Sequence, residues 1–285
     1  MLALITSHFN FANYERPRQN LWRFNLQMRS FGYPLYGVEA YLPDQEPFTA
    51  GWVNWKQVMV GADQIMFQKE ALLNLAETIV PSEYDKIAWL DADIWFQNMK
   101  WFETTEKLLD EFKVVQLFET SYYCCQGGTP FLNLPAFVTH FTTIPNSQPG
   151  FAWAARRDLW KSYGGLYANA ILGSGDLVAA AAIVGKVDIH KESIVTDFSA
   201  YQKWHQNITT WVKNKYSVVP GAIFHEWHGS RNDRNYCKRH EITRNVDLVS
   251  AIEKADNQLL TWTALAPMEV RLKVRQYFLD RKEDG

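Results

Sequence analysis

The chain is poor in cysteine, has no long apolar run and carries no excess of charge of one sign, and each absence removes a class of protein. Three cysteines in 285 residues, two of them adjacent at Cys124 and Cys125, give no even disulfide framework, and Cys237 stands alone. A reducing cytosol is the setting this cysteine usage fits. No stretch of about eighteen apolar residues occurs, so no transmembrane helix is expected. Met1-Leu2-Ala3-Leu4-Ile5 lacks a basic leader and a small-residue cleavage site and reads as a first strand, not an export signal. With 29 basic against 31 acidic residues the net charge is −2, so composition supplies no global attraction to nucleic acid or anionic membrane. Missing too are a Gly-x-x-x-x-Gly-Lys phosphate loop, a Gly-x-Gly-x-x-Gly first turn and a serine nucleophile elbow. P-loop nucleotidases, dinucleotide oxidoreductases and serine hydrolases of that fold are therefore unsupported.

What is present is apolar and aromatic. A 47% hydrophobic content over this length can bury a sizeable core, and 12 Trp, 13 Tyr and 17 Phe can either fill that core or stack on flat ligands. Leu2 to Ile5 reads as a strand ending in the polar segment Thr6 to Asn10, and Arg18 to Phe31 as a helix, with Leu21, Phe24, Asn25 and Met28 at three- and four-residue steps. Pro34 to Leu42 reads as a strand, Asp63 to Val80 as a helix halted by Pro81, and Asp85 to Leu90 as a strand. Trp101 to Phe112 reads as a helix, Lys113 to Phe118 as a strand, and Cys124 to Pro149 as a loop over a site. Then come a strand at Gly150 to Ala155, a short helix at Arg157 to Tyr163, an apolar helix opened by Gly173-Ser174-Gly175-Asp176 and running to about Val184, a helix at Phe198 to Lys213, and a strand at Tyr216 to Phe224. From about Asn232 onward helices are expected. Strand-helix alternation of this kind predicts a parallel sheet with ligands bound beyond the carboxyl ends of its strands.

Three groups at such ends carry chemistry. Ile87-Ala88-Trp89-Leu90-Asp91-Ala92-Asp93-Ile94-Trp95-Phe96 sets two carboxylates one residue apart in an apolar strand. Desolvating both costs several kcal/mol each unless a cation or donors compensate, and a hard divalent metal is the simplest compensation; the alternative is a strand end whose acids face solvent. Phe224-His225-Glu226-Trp227-His228-Gly229 adds two imidazoles, common partners of carboxylates at divalent metals, or histidines in ordinary hydrogen bonds. Arg231, Arg234, Lys238, Arg239 and Arg244 follow, suited to phosphate oxygens or to a solvated helix face.

In their order these segments resemble the metal-dependent glycosyltransferases of the GT-A fold, over most of residues 1 to about 230. Leu2 to Asn10 is similar to the nucleotide-binding start. Lys69 with Ala71-Leu72-Leu73-Asn74 resembles the helix before the metal motif, and Asp91-Ala92-Asp93 matches Asp-x-Asp. Gly150 to Trp160, Gly164-Gly165-Leu166-Tyr167 and Gly173-Ser174-Gly175-Asp176 resemble the acceptor-side segment, with Gly175 in place of the usual Glu. The tail, from His225 to Arg244 and from Tyr277 to Gly285, resembles uncharacterised bacterial and phage glycosyltransferase-like proteins.

The resemblance implies an α/β, Rossmann-like, mixed but mainly parallel sheet flanked by helices. Residues 1–118 would be the nucleotide-sugar half, 119–230 the acceptor half, and 231–285 a helical extension packed on the same domain. It implies a nucleotide sugar donor, UDP-sugar first, with its diphosphate on Mn²⁺ or Mg²⁺ held by Asp93 with Asp91 and His228, and His225 as the other histidine to consider. Thr6, Asn10, Lys69, Asp91 and Arg231 would line the donor. Asp176 is the expected base of an inverting transfer, or a plain helix cap. Trp153 and Tyr167 would stack on the acceptor, or serve the core. The acceptor would be a glycan, a lipid-linked saccharide or modified nucleic acid such as the hydroxylated bases of phage DNA. A sugar nucleotidyltransferase and a non-catalytic sugar-binding module are the competing functions, the first disfavoured by the lack of a Gly-rich basic loop at Thr6 to Asn10.

Overall fold

The computed structural model describes residues 1–140, 146–185, 194–234 and 238–285; residues 141–145 of the expected loop, and Cys237, lie outside the described residues. Leu2, Ala3, Leu4 and Ile5 are buried on both faces of strand β1 (Leu2–Phe9), as an unbroken apolar run demands. β2 (Leu35–Tyr41) and β4 (Lys86–Leu90) flank it in parallel, and β3 (Trp55–Met59) continues beyond β2. β9 (Ala152–Arg156) runs antiparallel between β4 and β6 (Val114–Gln116), and β10 (Tyr216–Val218) pairs in parallel with β6. The seven strands lie in the order β10-β6-β9-β4-β1-β2-β3, a mixed, mainly parallel sheet flanked by helices.

A second sheet, β5 (Ile94–Phe96), β11 (Ala222–His225), β7 (Thr120–Cys124) and β8 (Pro130–Pro135), starts immediately after the carboxyl end of β4. The helices are α1 (Glu15–Ser30), α2 (Lys69–Glu77), α3 (Trp101–Glu111), α4 (Phe137–His140), α5 (Asp158–Tyr163), α6 (Gly175–Val184), α7 (Phe198–Val212), α8 (Leu248–Ala251) and α9 (Met268–Asp280). α1 turns Leu21, Phe24, Asn25 and Met28 inward, the stripe read from the sequence. Among the described residues no helix is long and apolar enough to cross a membrane.

Five segments differ from expectation. β1 does not stop at Ile5 but runs through Thr6, Ser7 and His8, because polar side chains are tolerated where the backbone ladder to β2 continues. The helix expected over Asp63 to Val80 is a short 3₁₀ turn followed by α2, since the Phe67 N–H donates to Ile171 O at 2.8 Å and not to a helical carbonyl. Tyr216 to Phe224 is two strands in two sheets, divided at Pro220-Gly221, where Gly221 has φ +116°. The loop after Cys124 holds β8 and α4, and the tail is not wholly helical: β12 (Ile252–Lys254) and β13 (Leu260–Trp262) form a hairpin. Strands of three residues are too short for a period of two to be legible. Leu259, Trp262, Val274, Tyr277 and Phe278 of the tail belong to the same apolar core as β1 and β4.

Candidate functional site

Strand order brings the chemistry to one edge. β1 and β4 are adjacent and parallel, so His8 to Asn10 and Asp91 to Asp93 emerge side by side. β9 arrives there with its amino end, and the Asp91 N–H donates to Phe151 O at 2.8 Å. β5 then pairs antiparallel with β11, register His225 to Ile94, and the Glu226 N–H donates to Asp93 O at 2.7 Å. That ladder delivers the histidine segment to Asp93. Helices α2 and α6 contribute Lys69 and Asp176 from their first turns. Between them opens a cleft of about 670 Å³, within the size of a small-molecule site.

At the cleft floor Asp93, His225 and His228 form a cluster whose potential ligand atoms all lie within 4.8 Å of one another. His228 Nε2 is 2.9 Å and His225 Nε2 3.5 Å from Asp93 Oδ2, and the two Nε2 atoms are 3.1 Å apart. Asp93 Oδ1 is buried and has no hydrogen-bond partner among the described residues. Burial pushes the Asp93 carboxyl up, but the adjacent imidazoles more than reverse this and hold it well below the usual carboxylate range. Burial holds His225 down at about 4 against the pull of Asp93, so its ring is neutral at pH 7 with a lone pair to give. One ionised carboxylate with an unused oxygen and two imidazole nitrogens converging on one point is a donor set that fits a divalent cation.

Asp91, one residue back, is elsewhere engaged. Its Oδ1 lies 2.5 Å from Lys69 Nζ, which also donates to both oxygens of Asp176 at 2.9 and 3.0 Å. Burial would lower Lys69, and Asp176 and Asp91 overcome it, so the cation stays charged. Burial raises Asp91 to about 7, Lys69 opposing and the Asp176 and Asp93 carboxylates assisting. Glu70, next to Lys69, is raised to about 8, mainly by burial and by Asp176. Its carboxyl occupies the space in front of Gly175: a Cβ there would stand 2.0 Å from Glu70 Oε1. Nothing in the sequence pairs Glu70 with Gly175, since one is on α2 and the other opens α6.

The remaining expected residues divide. Arg231 lines the cleft, its guanidinium 5.0 Å from the Tyr123 ring centre. Asn10 lines it as well, but its amide accepts from Tyr14 N at 2.9 Å and donates to Tyr14 O, which fixes the entry to α1. Thr6 does not reach the cleft; it is fully buried and its hydroxyl donates to Leu90 O at 2.8 Å. Trp153 and Tyr167, expected at the acceptor, are both in the core. The Trp153 indole stacks parallel to Trp89 and donates to Pro149 O, and the Tyr167 hydroxyl donates to Asp197 O in a small cluster with Val178 and Tyr201. The expected stretch Lys69 to Asn74 is linked to Gly164-Gly165-Leu166 by Asn74, which donates to Leu166 O and accepts from Leu166 N and the Trp160 indole. Gly165, φ +79°, admits no side chain, because a Cβ would stand 2.4 Å from Asn74 Oδ1.

Further groups complete the walls, Arg234 and Arg239 among them from the basic stretch noted in the sequence. His8 Nε2 is buried at the cleft without a hydrogen-bond partner among the described residues, and Phe9, Phe11, Phe67 and Phe278 interlock edge-to-face along the same cleft. The tail contributes Arg234, Arg239, Arg281 and Glu283. Together with His8 to Phe11 and Phe67 these wall residues come from four separate segments, and no local pattern announces their convergence.

No protein-family model and no curated protein matches the sequence. Solved structures similar to the chain include glucosyl-3-phosphoglycerate synthase from Mycobacterium tuberculosis, with Mn²⁺, UDP-glucose and phosphoglyceric acid. That likeness has 12% identity over 95% of this chain and 90% of the other, with a TM-score of 0.44. The catalytic domain of Drosophila beta1,4galactosyltransferase 7, with xylobiose, is 14% identical over 63% of this chain, with a TM-score of 0.34; the match spans 59% of that protein's length. A putative glucose-1-phosphate thymidylyltransferase from Bacillus anthracis is 6% identical over 78% of this chain and 89% of the other, with a TM-score of 0.41. Likenesses of this order assign no activity.

Proposed function

We propose that the protein is a metal-dependent glycosyltransferase that moves a sugar from a nucleotide-sugar donor to an acceptor hydroxyl. The observation that carries the reading is the largely buried Asp93–His225–His228 cluster, with a carboxylate oxygen unused among the described residues, at the floor of a cleft beyond the carboxyl ends of β1 and β4. Asp93 and the two histidines would hold Mn²⁺ or Mg²⁺, whose contribution when bound is to offset charge on a departing nucleoside diphosphate. Asp91 is assigned away from the cation, to the Lys69 ion pair.

The chain's own residues supply the rest. The phenylalanine-lined arm with His8 suits the flat face and polar edge of a nucleobase, UDP-sugars being the first donors to try. Arg231 stands at the mouth, where a guanidinium suits phosphate oxygens. Asp176 lines the cleft and takes the acceptor proton in an inverting displacement; Lys69 holds its carboxylate in place. For the acceptor, a glycan or lipid-linked saccharide is preferred to DNA, given the net charge of −2. A sugar nucleotidyltransferase would use the same cleft but release pyrophosphate.

The test is a panel of nucleotide sugars screened for thermal stabilisation with and without Mn²⁺, followed by assay of the released product. The expected result is metal-dependent stabilisation by one donor and slow release of its nucleoside diphosphate. Stabilisation by none of them overturns the reading, and pyrophosphate release from a sugar phosphate and a nucleoside triphosphate replaces it with the nucleotidyltransferase.

A further inference from the structure

Behind His228, on the side away from Asp93, the chain segment Lys282 to Gly285 crosses over the histidine loop. Its seat is made by close backbone approach: Gly229, φ +91°, faces it, and a Cβ there would stand 2.6 Å from Lys282 O and 3.0 Å from the Glu283 Cα. Gly285 lies against the Trp227 ring, where an added Cβ would be 3.0 Å away. Asp284 accepts from the Glu15 and Arg16 N–H groups at the start of α1, at 3.0 and 2.7 Å, and the Lys282 N–H donates to the Tyr14 hydroxyl. The segment is thus clamped between α1 and the loop that carries His228.

That clamp aims one side chain inward. Glu283 is 9% exposed, and its Oε1 is 3.5 Å from His228 Nδ1 and 2.5 Å from Arg281 Nη2. The oxygen lies near these two donors and makes no full hydrogen bond among the described residues. His228 therefore has its two ring nitrogens between two carboxylates, Nε2 toward Asp93 and Nδ1 toward Glu283. A histidine ligand can give only one nitrogen to a cation, and a carboxylate on the other fixes both the tautomer and the ring orientation.

We propose that Glu283 is a positioning residue of the metal centre, accepting the His228 Nδ1–H so that the Nε2 lone pair faces Asp93 and His225. The inference rests on the metal-site reading above and adds to it a residue from a segment that local pattern does not connect to the site. Arg281 keeps the Glu283 carboxylate charged and in place.

The experiment is calorimetric titration of the metal-free full chain with manganese(II) chloride alone, alongside its melting temperature. Glu283→Ala is expected to weaken Mn²⁺ binding by roughly 10–100-fold, the usual effect of removing an outer partner of a metal-bound histidine. Glu283→Gln, which keeps an acceptor oxygen on the same frame, is expected to lose less. Asp284→Asn loosens the same segment from α1 without touching His228, and is expected to lower the melting temperature while leaving Mn²⁺ affinity near wild type. Wild-type affinity in Glu283→Ala, with wild-type binding intact, overturns the inference and leaves the metal site standing. Equal losses of affinity in Glu283→Ala and Asp284→Asn, each tracking lost stability, overturn it as well. Failure of the wild-type chain to bind Mn²⁺ removes both.

Discussion

Asp91 and Asp93 are separated by one alanine, yet they sit in opposite electrostatic surroundings. Asp93 lies between two imidazoles and stays ionised, with one oxygen left over. Asp91 shares a lysine with Asp176, lies near Glu70, and is pushed up to about 7. The cause is topological: after β4 the chain turns into β5, which carries Asp93 across to β11, while Asp91 stays behind against α2. One half leaves an ionised oxygen without a hydrogen-bond partner among the described residues, and the other already holds a cation, Lys69. A pair of acids adjacent in sequence therefore need not form one site.

The sharpest way to break the contrast is to neutralise each acid in turn and titrate with Mn²⁺. Asp93→Asn is expected to lose detectable binding, a larger effect than the roughly 10–100-fold typical of an outer partner. Asp91→Asn is expected to bind within a few-fold of wild type. Equal losses in the two variants would show that both carboxylates hold one ion and that the Lys69 pair yields when metal arrives. Removing the built-in cation is the next test. Lys69→Met leaves the half-buried Asp91 and Asp176 without their partner, and is expected to cost about 3 kcal/mol in urea unfolding, the low end for breaking a buried pair because these acids keep some solvent and can take up protons instead. A cost near zero would mean that solvent already screens the cluster.

How much of this was legible follows the same division. The strands around Asp91 and Asp93 and the helix stripe of α1 could be read because long apolar runs and a 3.6-residue period are local signals. The pairing of Asp93 with the histidines could be anticipated, since metal-ligating types stand out against an apolar background, and the structure brings in His225 beside His228. What could not be read is what each acid faces. Glu70 against Gly175, Asn74 against Gly165 and Glu283 against His228 join residues 105, 91 and 55 positions apart, and each is fixed by how helices and tail pack on the sheet. Trp153 and Tyr167 show the converse: large aromatics at expected acceptor positions are buried, Trp153 against Trp89 and Tyr167 against Tyr201 and Trp204 of α7, where their bulk fills the core.

A glycine tests the crowded half directly. Gly175→Ala puts a methyl into the space of the Glu70 carboxyl and is expected to destabilise by about 1–3 kcal/mol, the usual cost of overpacking. In a Glu70→Ala background the same change is expected to cost much less, since the neighbour is gone. The cycle of four proteins isolates the coupling. Additive costs would mean that the Glu70 side chain turns away freely and that the contact constrains nothing.

The smallest effect is in pH dependence, where Glu70 gives a defined sign. Its carboxyl titrates near 4.5 in an ordinary setting and is raised to about 8 in the fold, so between those values the folded protein retains a proton that the unfolded chain releases. Stability from this group is complete below about pH 4.5 and declines as pH rises toward 8, because the slope follows protons bound unfolded minus folded. Glu70→Gln keeps the shape and never ionises, so it removes that decline. Melting temperatures of the two metal-free proteins are expected to lie together at pH 5 and to separate in favour of the variant by pH 8. Asp93 is already ionised throughout this range, so Asp93→Asn is expected to run parallel to wild type from pH 5 to 8. A Glu70→Gln curve that also stayed parallel to wild type would place an ionised glutamate beside Gly175 at neutral pH. The electrostatic contrast between the two halves would then come from Asp91 and Lys69 alone.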